Sequence, residues 1–233
     1  MSEPLPHDHP SRRERARLYV ALTNACNRAC PWCSTYSGPR GRTHLSPEAL
    51  LAHLPPPGAT PIDVQLEGGE PLVHPDFWVI IGMLRANLEV ATLILCTNGF
   101  LVPRSAAALD AWLARLGAPL LVKLSINHHL LARDRRLLDV ARLLDERLGD
   151  ALVLNVRRRR GGDDDAWVME RVRDAGLAHR ANDFFLQRYG RAADETTWDE
   201  PFVVRGDFTL VNPDGAPFVG DLVARSEAMG RLP

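Results

Sequence analysis

The chain has 233 residues, enough for one large domain or two small ones. Apolar residues make up 45% of it and charged residues 24%, the balance of a globular protein that buries a core without disulfide bonds. The formal net charge of -1 argues against a strongly cationic nucleic-acid binder, and no apolar run approaches the ~20 residues of a membrane span.

Residues 1–16 are polar and rich in proline and histidine. They lack the apolar segment of a secretory signal peptide. We therefore expect a flexible N-terminal tail on a protein of the reducing cytoplasm, without a membrane partner.

Short apolar runs alternate with helical patterns from residue 18 to residue 187. The runs predict strands over 18–22, 62–66, 91–96, 120–126, 151–156 and 184–187. Capping residues and apolar stripes predict helices over 46–54, 77–88, 109–116, 137–148 and 163–175. Alternation of this kind, with strands that read as nearly continuous apolar runs, predicts an α/β fold with a parallel sheet.

The last forty residues follow a different pattern. Residues 202–211 and 216–219 flank Asn-Pro-Asp-Gly, a turn sequence, and predict a β-hairpin. Residues 221–229 predict a terminal helix. The chain thus divides into a tail (1–16), an α/β unit (17–192) and a C-terminal hairpin and helix (193–233), which we expect to form a cap or an interface.

Three of the four cysteines lie within eight residues, as Cys26, Cys30 and Cys33. Clustered thiols in a reducing compartment indicate metal binding rather than disulfides. No second ligand pair follows, as a structural zinc site would require. Three thiolates on one loop suit an iron–sulfur cluster with one open iron. The fourth, Cys96, is interpreted as a small buried core residue.

Polar motifs follow the ends of several predicted strands. Glu67-Gly68-Gly69-Glu70-Pro71 follows the second strand and Thr97-Asn98-Gly99 the third, while Ser125 lies near the end of the fourth. The carboxyl ends of parallel barrel strands are where such folds carry chemistry. The motifs and the cysteines are therefore expected to share one site.

The segment 18–37, LYVALTNACNRACPWCSTYS, closely resembles the cluster loop of radical S-adenosylmethionine (SAM) enzymes. Trp32, an aromatic residue before the third cysteine, matches the family pattern. The GGEP and TNG sequences resemble two further family motifs, and they occur in the family order. The resemblance implies an open partial (β/α)6 barrel, which the six predicted strands fit.

The same resemblance implies one [4Fe-4S] cluster on Cys26, Cys30 and Cys33, with SAM bound to its remaining iron. Reductive cleavage of SAM would give a 5′-deoxyadenosyl radical that abstracts hydrogen from the substrate. The Glu70 carboxylate suits the cationic amino group of SAM, and the glycines allow close backbone approach. The residues implied to hold SAM are Gly68, Gly69, Glu70, Pro71, Thr97, Asn98 and Ser125.

Three further residues are weaker candidates. Arg157, at the end of the fifth strand, could pair with the SAM carboxylate or an anionic substrate, or belong to a solvated basic turn. His128, after the fourth strand, could transfer a proton or bind substrate, or lie in a polar loop. Tyr189 could face the substrate or donate a hydrogen atom, although a tyrosine at such a position more often simply packs.

The leading hypothesis is a radical SAM enzyme that acts on a peptide or small metabolite in a biosynthetic pathway. The C-terminal hairpin resembles the start of a SPASM-type auxiliary-cluster domain but lacks its cysteines, so a single cluster is expected. The resemblance also implies a flavodoxin- or ferredoxin-like electron donor. Alternatives are a glycyl-radical-enzyme activase, an enzyme that modifies a nucleobase or tRNA (disfavoured by the charge), and a non-enzymatic iron–sulfur binding or sensing protein.

Overall fold

The computed structural model describes residues 15–159, 165–186, 189–194, 208–219 and 221–233. Within these ranges, eight strands form one sheet in the order β6-β5-β4-β3-β2-β1-β7-β8. The strands are β1 (Arg17–Thr23), β2 (Ile62–Gly68), β3 (Val90–Thr97), β4 (Leu120–Ile126), β5 (Leu152–Arg158), β6 (Ala181–Phe185), β7 (Phe208–Val211) and β8 (Pro217–Val219). The helices are α1 (Pro47–Leu51), α2 (Phe77–Ala86), α3 (Ala106–Leu116), α4 (His128–Arg133), α5 (Leu137–Leu148), α6 (Ala166–Asp174) and α7 (Leu222–Gly230).

The first six strands run parallel to one another, and helices connect them. The sheet remains open, with β6 and β8 at its two edges. This arrangement confirms the predicted α/β fold with an open, partial barrel of parallel strands. Residues at the carboxyl ends of β2 to β5 border one pocket together with the loop that follows β1.

The two faces of the sheet differ in character, because side chains alternate along each strand. One face is apolar: Val64 and Leu66 pack in one buried cluster with helix residues such as Ile80, and Leu124 and Leu154 pack in another with Leu144. The opposite face carries polar side chains in register, with Cys96 paired to Lys123 and Ser125 to Asn155. The parallel sheet predicted from the apolar runs is confirmed, and this second face shows the polar positions that interrupt those runs.

Several element bounds differ from the predicted ones. Helix α1 ends at Leu51 rather than 54, because His53 N–H bonds the Leu50 carbonyl three residues back and the helix tightens. Strand β6 begins at Ala181, earlier than predicted, and residue 187 lies outside the described residues. The predicted polar loop after β4 is helix α4, because the Asn127 side chain caps it by accepting from Leu130 N–H at 2.9 Å.

The C-terminal hairpin extends the sheet. Strand β7 pairs in parallel with β1, and β8 returns antiparallel to β7. The turn between them is closed by the Gly215 N–H, which donates to the Asn212 carbonyl at 2.9 Å. The predicted hairpin and helix are confirmed where the structure describes them, while residues 202–207 lie outside it. None of the helices in the described ranges has the length and apolar composition of a membrane span.

Candidate functional site

A pocket of about 240 Å³ opens at the carboxyl ends of the parallel strands. It brings together most of the residues singled out from the sequence: Cys26, Cys30, Cys33, Gly68, Gly69, Thr97, Asn98, Ser125, Arg157 and Tyr189 all border it. Three of the predicted residues, Glu70, Pro71 and His128, do not border it. The cysteines and residues of each motif thus border one pocket.

The three clustered cysteines lie on the cysteine loop, residues 24–38, which follows β1. The Cys26 N–H bonds the Gly38 carbonyl at 3.0 Å and so closes the base of this loop. All three thiols are free and half-buried. Burial raises the pKa of Cys26 to about 12 and that of Cys30 to about 11, because a buried thiolate has lost its hydration. Thiolates here would require a compensating positive group.

Soft thiol donors that open into one pocket fit an iron–sulfur cluster. In the described part of the chain, no group of three or more His, Cys, Asp or Glu side chains is arranged to hold a metal ion. In a cluster each cysteine binds a different iron, so the three sulfur atoms need not meet at one point. The donor set therefore suits the group that the sequence predicts.

The end of β2 packs directly on the cysteine loop. A Cβ on Gly69 would lie 1.9 Å from the Ala25 carbonyl oxygen, and one on Gly68 would lie 2.6 Å from that of Thr23. Gly68 also has φ of +119°, a conformation that L residues rarely adopt. The Gly69 and Glu70 N–H groups bond the Thr23 and Ala25 carbonyls at 2.7 and 3.0 Å. Both glycines are thus required by chain packing, in addition to any role toward a ligand.

Glu70 is fully buried and joins the ends of β2 and β3. Its carboxylate accepts hydrogen bonds from the Thr97 hydroxyl and the Asn98 N–H, both at 2.8 Å, and from the Leu72 N–H at 3.3 Å. Burial raises the pKa of Glu70 to about 7, although these three bonds favour the ionised form. Pro71 is buried at the start of a 3₁₀ turn, Pro71–Val73.

Asn98 connects the end of β3 to the cysteine loop. Its Nδ2 donates to Asn27 Oδ1 at 2.7 Å and lies 3.7 Å from Cys26 Sγ. Its Oδ1 accepts from the Phe100 N–H at 3.1 Å, which fixes the orientation of the amide. The TNG sequence therefore contacts the cysteine loop at Asn27 and Cys26.

Arg157 and Tyr189 border the side of the pocket formed by β5 and the segment after β6. The Arg157 guanidinium lies 5.6 Å from the centre of the Phe184 ring, and in the described ranges it has no acidic partner. Burial raises the pKa of the Tyr189 phenol, while Arg157 lowers it. A half-buried guanidinium without a carboxylate offers a place for an anionic group.

His128 lies one layer behind the pocket. Its ring packs against Trp32, with centroids 4.3 Å apart, and its Nδ1 lies 2.9 Å from Asp165 Oδ1. Asp165 is buried, and Arg159 donates to it from its backbone N–H at 2.7 Å and its Nη2 at 2.9 Å. Burial raises the pKa of Asp165, but the hydrogen bonds outweigh it and lower the pKa overall. His128 thus supports Trp32 in the cysteine loop.

Several pocket residues were missed in the sequence. Arg225 of α7 is buried, and its Nη2 donates to Glu67 Oε1 at 2.8 Å. Glu67 also accepts from Gln65 Nε2 at 2.6 Å, and Gln65 Oε1 accepts from Lys123 Nζ at 2.7 Å. The sequence did contain a signal for these residues, a polar residue at every second position of the strands. One of them, Lys123, is the one lysine in the sequence. Cys96, interpreted as a core residue, is half-buried and borders the pocket, because β3 turns it to the polar face.

Comparison with known proteins gives a consistent assignment. The chain matches the radical SAM superfamily over residues 20–184. It is 32% identical to the GTP 3′,8-cyclase of Chlorobaculum tepidum over 93 residues, and 33% identical to that of Photorhabdus laumondii over 94 residues. Each match covers 39% of this chain and 28% of the relative, so the chain spans less than a third of these proteins in the matched region.

Two solved structures share the fold. Streptococcus suis SuiB bound to the precursor peptide SuiA aligns with a TM-score of 0.57 at 14% identity, covering 82% of this chain and 43% of that one. Native anSMEcpe with bound AdoMet and Cp18Cys peptide aligns with a TM-score of 0.52 at 15% identity, covering 73% and 51%. At these identities the likeness is one of fold.

Proposed function

The chain belongs to the radical SAM superfamily, and from this membership we propose that it is an enzyme that reductively cleaves SAM at one [4Fe-4S] cluster. The observation that carries the proposal is that Cys26, Cys30 and Cys33 border the same pocket as the glycine-rich end of β2 and the TNG end of β3. A reduced cluster would supply the electron for cleavage of SAM, which starts hydrogen abstraction from the substrate.

The chain's own residues bind and orient these groups. We assign the cluster to the three cysteines and the binding of SAM to the pocket-lining atoms of Gly68, Gly69, Thr97, Asn98 and Ser125. Glu70 belongs to the same motif as Gly69, but we place it as a positioning group, because its carboxylate fixes Thr97 and Asn98 from behind. Pro71 starts the turn that keeps Glu70 in place.

Arg157 is proposed to pair with an anionic group, either the SAM carboxylate or a group on the substrate. The support is its half-buried guanidinium, which borders the pocket and has no acidic partner in the described ranges. Tyr189 borders the same side of the pocket and is proposed to contact the substrate. His128 is proposed to stabilise Trp32 rather than transfer a proton.

We propose a peptide or small metabolite as the substrate. The matched relatives are named for a reaction of GTP, and the two fold neighbours were solved with peptides. A flavodoxin- or ferredoxin-like donor is proposed to reduce the cluster, and the three cysteines within eight residues, which favour metal binding over disulfides, support a reducing, cytoplasmic location. The division into residues 1–16, 17–192 and 193–233, and the likeness of the hairpin to a SPASM-type domain, stay predictions.

The test is anaerobic turnover of SAM. The protein is reconstituted with iron and sulfide, reduced, mixed with SAM, and assayed for 5′-deoxyadenosine. We expect product from the wild type, none from Cys30→Ala, and near wild-type product from Cys96→Ala, the matched control from the same pocket. Equal product from Cys30→Ala would contradict the cluster assignment. A bound cluster and bound SAM without any product would indicate an enzyme that needs its substrate for turnover, whereas a cluster that does not bind SAM would favour the sensing protein.

A further inference from the structure

We propose that Arg191 is a positioning residue that holds the cysteine loop in its cluster-binding conformation. The inference rests on the proposed function, because it concerns the site of the same cluster. Arg191 lies in the 3₁₀ turn Gly190–Asp194, which follows β6. In sequence it is 161 residues from Cys30, and no cysteine or family motif marks it.

The Arg191 guanidinium bonds three carbonyls of the cysteine loop. Nη1 donates to the Cys30 carbonyl at 3.3 Å and to the Ser37 carbonyl at 3.0 Å, and Nη2 donates to the Tyr36 carbonyl at 2.6 Å. The Arg191 backbone N–H donates to the Cys33 carbonyl at 3.0 Å. One residue thereby satisfies four loop carbonyls, two of which belong to proposed cluster ligands.

The neighbouring residue shows how closely this turn fits the loop. Gly190 has φ of +66°, and a Cβ there would lie 2.6 Å from both the Cys33 carbonyl oxygen and Ser34 Cα. Tyr36, whose carbonyl receives the shortest of the three bonds, has φ of +54°, an uncommon value for a bulky residue. Hydrogen bonds from Arg191 offset the cost of this backbone conformation.

An arginine suits this place because its planar fork presents several N–H donors in fixed directions. A lysine would carry the same charge from a single point. The described hydrogen bonds of the Arg191 guanidinium go to carbonyls of the cysteine loop. Its positive charge therefore faces the cysteine loop, where it favours electron uptake by a bound cluster.

The test uses the anaerobically reconstituted protein and needs no substrate. We expect Arg191→Gln to release iron to an excess of iron(II) chelator about tenfold faster than wild type, and to have a more negative midpoint potential for the cluster. Arg191→Lys keeps the charge, so its potential stays near wild type while its iron release is faster. The matched control is Arg42→Gln, because the Arg42 guanidinium bonds the carbonyls of Pro39 and Gly41 at the exposed surface.

Wild-type iron release and potential in a folded Arg191→Gln would overturn the proposal, and so would equally fast release from Arg42→Gln. Thermal unfolding of the metal-free variants identifies a folding defect, and Arg191→Lys decides the matter if the glutamine variant does not fold. A wild-type chain that takes up no cluster would instead contradict the proposed function, and this inference would then fail as well.

Discussion

Glu70 shows how a residue can be predicted while its contacts cannot. The GGEP motif identifies the position in the sequence, and it suggests a carboxylate that meets a ligand. In the fold the side chain is fully buried and bonds Thr97, Asn98 and Leu72. The reason is geometric. One carboxylate can reach the ends of both β2 and β3 only if the two strands are adjacent, and the sequence of neither segment indicates that they are.

The buried Glu70 makes stability depend on pH. Burial raises its pKa from 4.5 to about 7, so between these values the folded chain keeps a proton that the unfolded chain releases. This stabilising contribution is fully present below pH 4.5 and is lost as the pH rises through 7. We expect the free energy of unfolding of the metal-free protein, measured with urea, to fall by about 2 kcal/mol from pH 5 to pH 8 through this group.

The glutamine variants isolate this contribution. Glu70→Gln should flatten the pH dependence relative to wild type, whereas Glu48→Gln, at an exposed position of α1, should leave it unchanged. Parallel pH profiles for wild type and Glu70→Gln would show that Glu70 stays ionised in the folded protein.

At the scale of elements, the contact between the end of β2 and the cysteine loop leaves no room for a side chain. We expect Gly69→Ala to lower the free energy of unfolding by about 1–3 kcal/mol, because its Cβ would collide with the Ala25 carbonyl, 1.9 Å away. It should also reduce the iron bound after reconstitution. Chemical denaturation and iron analysis measure the two effects.

Gly82 in α2 provides the matched control. It lies within the helix at an exposed position, and a Cβ there would meet nothing within 4 Å. Gly82→Ala should therefore raise stability by roughly 0.5–1 kcal/mol, the usual gain for alanine over glycine in a helix. If Gly69→Ala behaved like Gly82→Ala, the tight contact would not exist.

The elements themselves were largely predictable, because strand and helix patterns are local. All six strands of the parallel series were expected, and the motifs were correctly placed at their ends. Helix α4 was missed because Asn127 was interpreted as part of a polar loop, although a side chain that caps a helix is equally polar. The polar face was missed because the polar residues that alternate along the strands, such as Gln65, Lys123 and Asn155, were not considered as one pattern.

The whole molecule depends on pairings between distant parts of the chain. Strand β7 pairs with β1, and α7 brings Arg225 to Glu67 of β2, 158 residues away. The hairpin and the helix were predictable from their turn and their cap. Their place in the fold was not, since the partner of a short strand is chosen by packing rather than by its own sequence.

The ion pair of Arg225 and Glu67 should stabilise the folded chain as a whole. Arg225→Met leaves the Glu67 carboxylate without its cation, and we expect a loss of about 3 kcal/mol in the free energy of unfolding. This is the low end for a buried pair, because the Glu67 side chain remains 20% exposed. Urea denaturation at neutral pH measures it.

Two variants separate the pair from the helix. Arg231→Met, at the exposed end of α7, should be nearly neutral. Adding Glu67→Gln to Arg225→Met should restore part of the loss, since the unpaired charge is then gone. Additive losses in the double variant would mean that the two side chains are energetically independent.

The distance along the chain between the cysteine loop and Arg191 has a consequence for biosynthesis. A ribosome adds ~5–20 residues per second, so the 161 residues from Cys30 to Arg191 take roughly 8 to 30 seconds. During that interval the three thiols are already made, but the residue that orders their loop is not. Iron delivered to the nascent chain would encounter a cysteine loop that is not yet ordered and is open to oxidation. We therefore expect the cluster to be inserted after the turn that carries Arg191 has been translated.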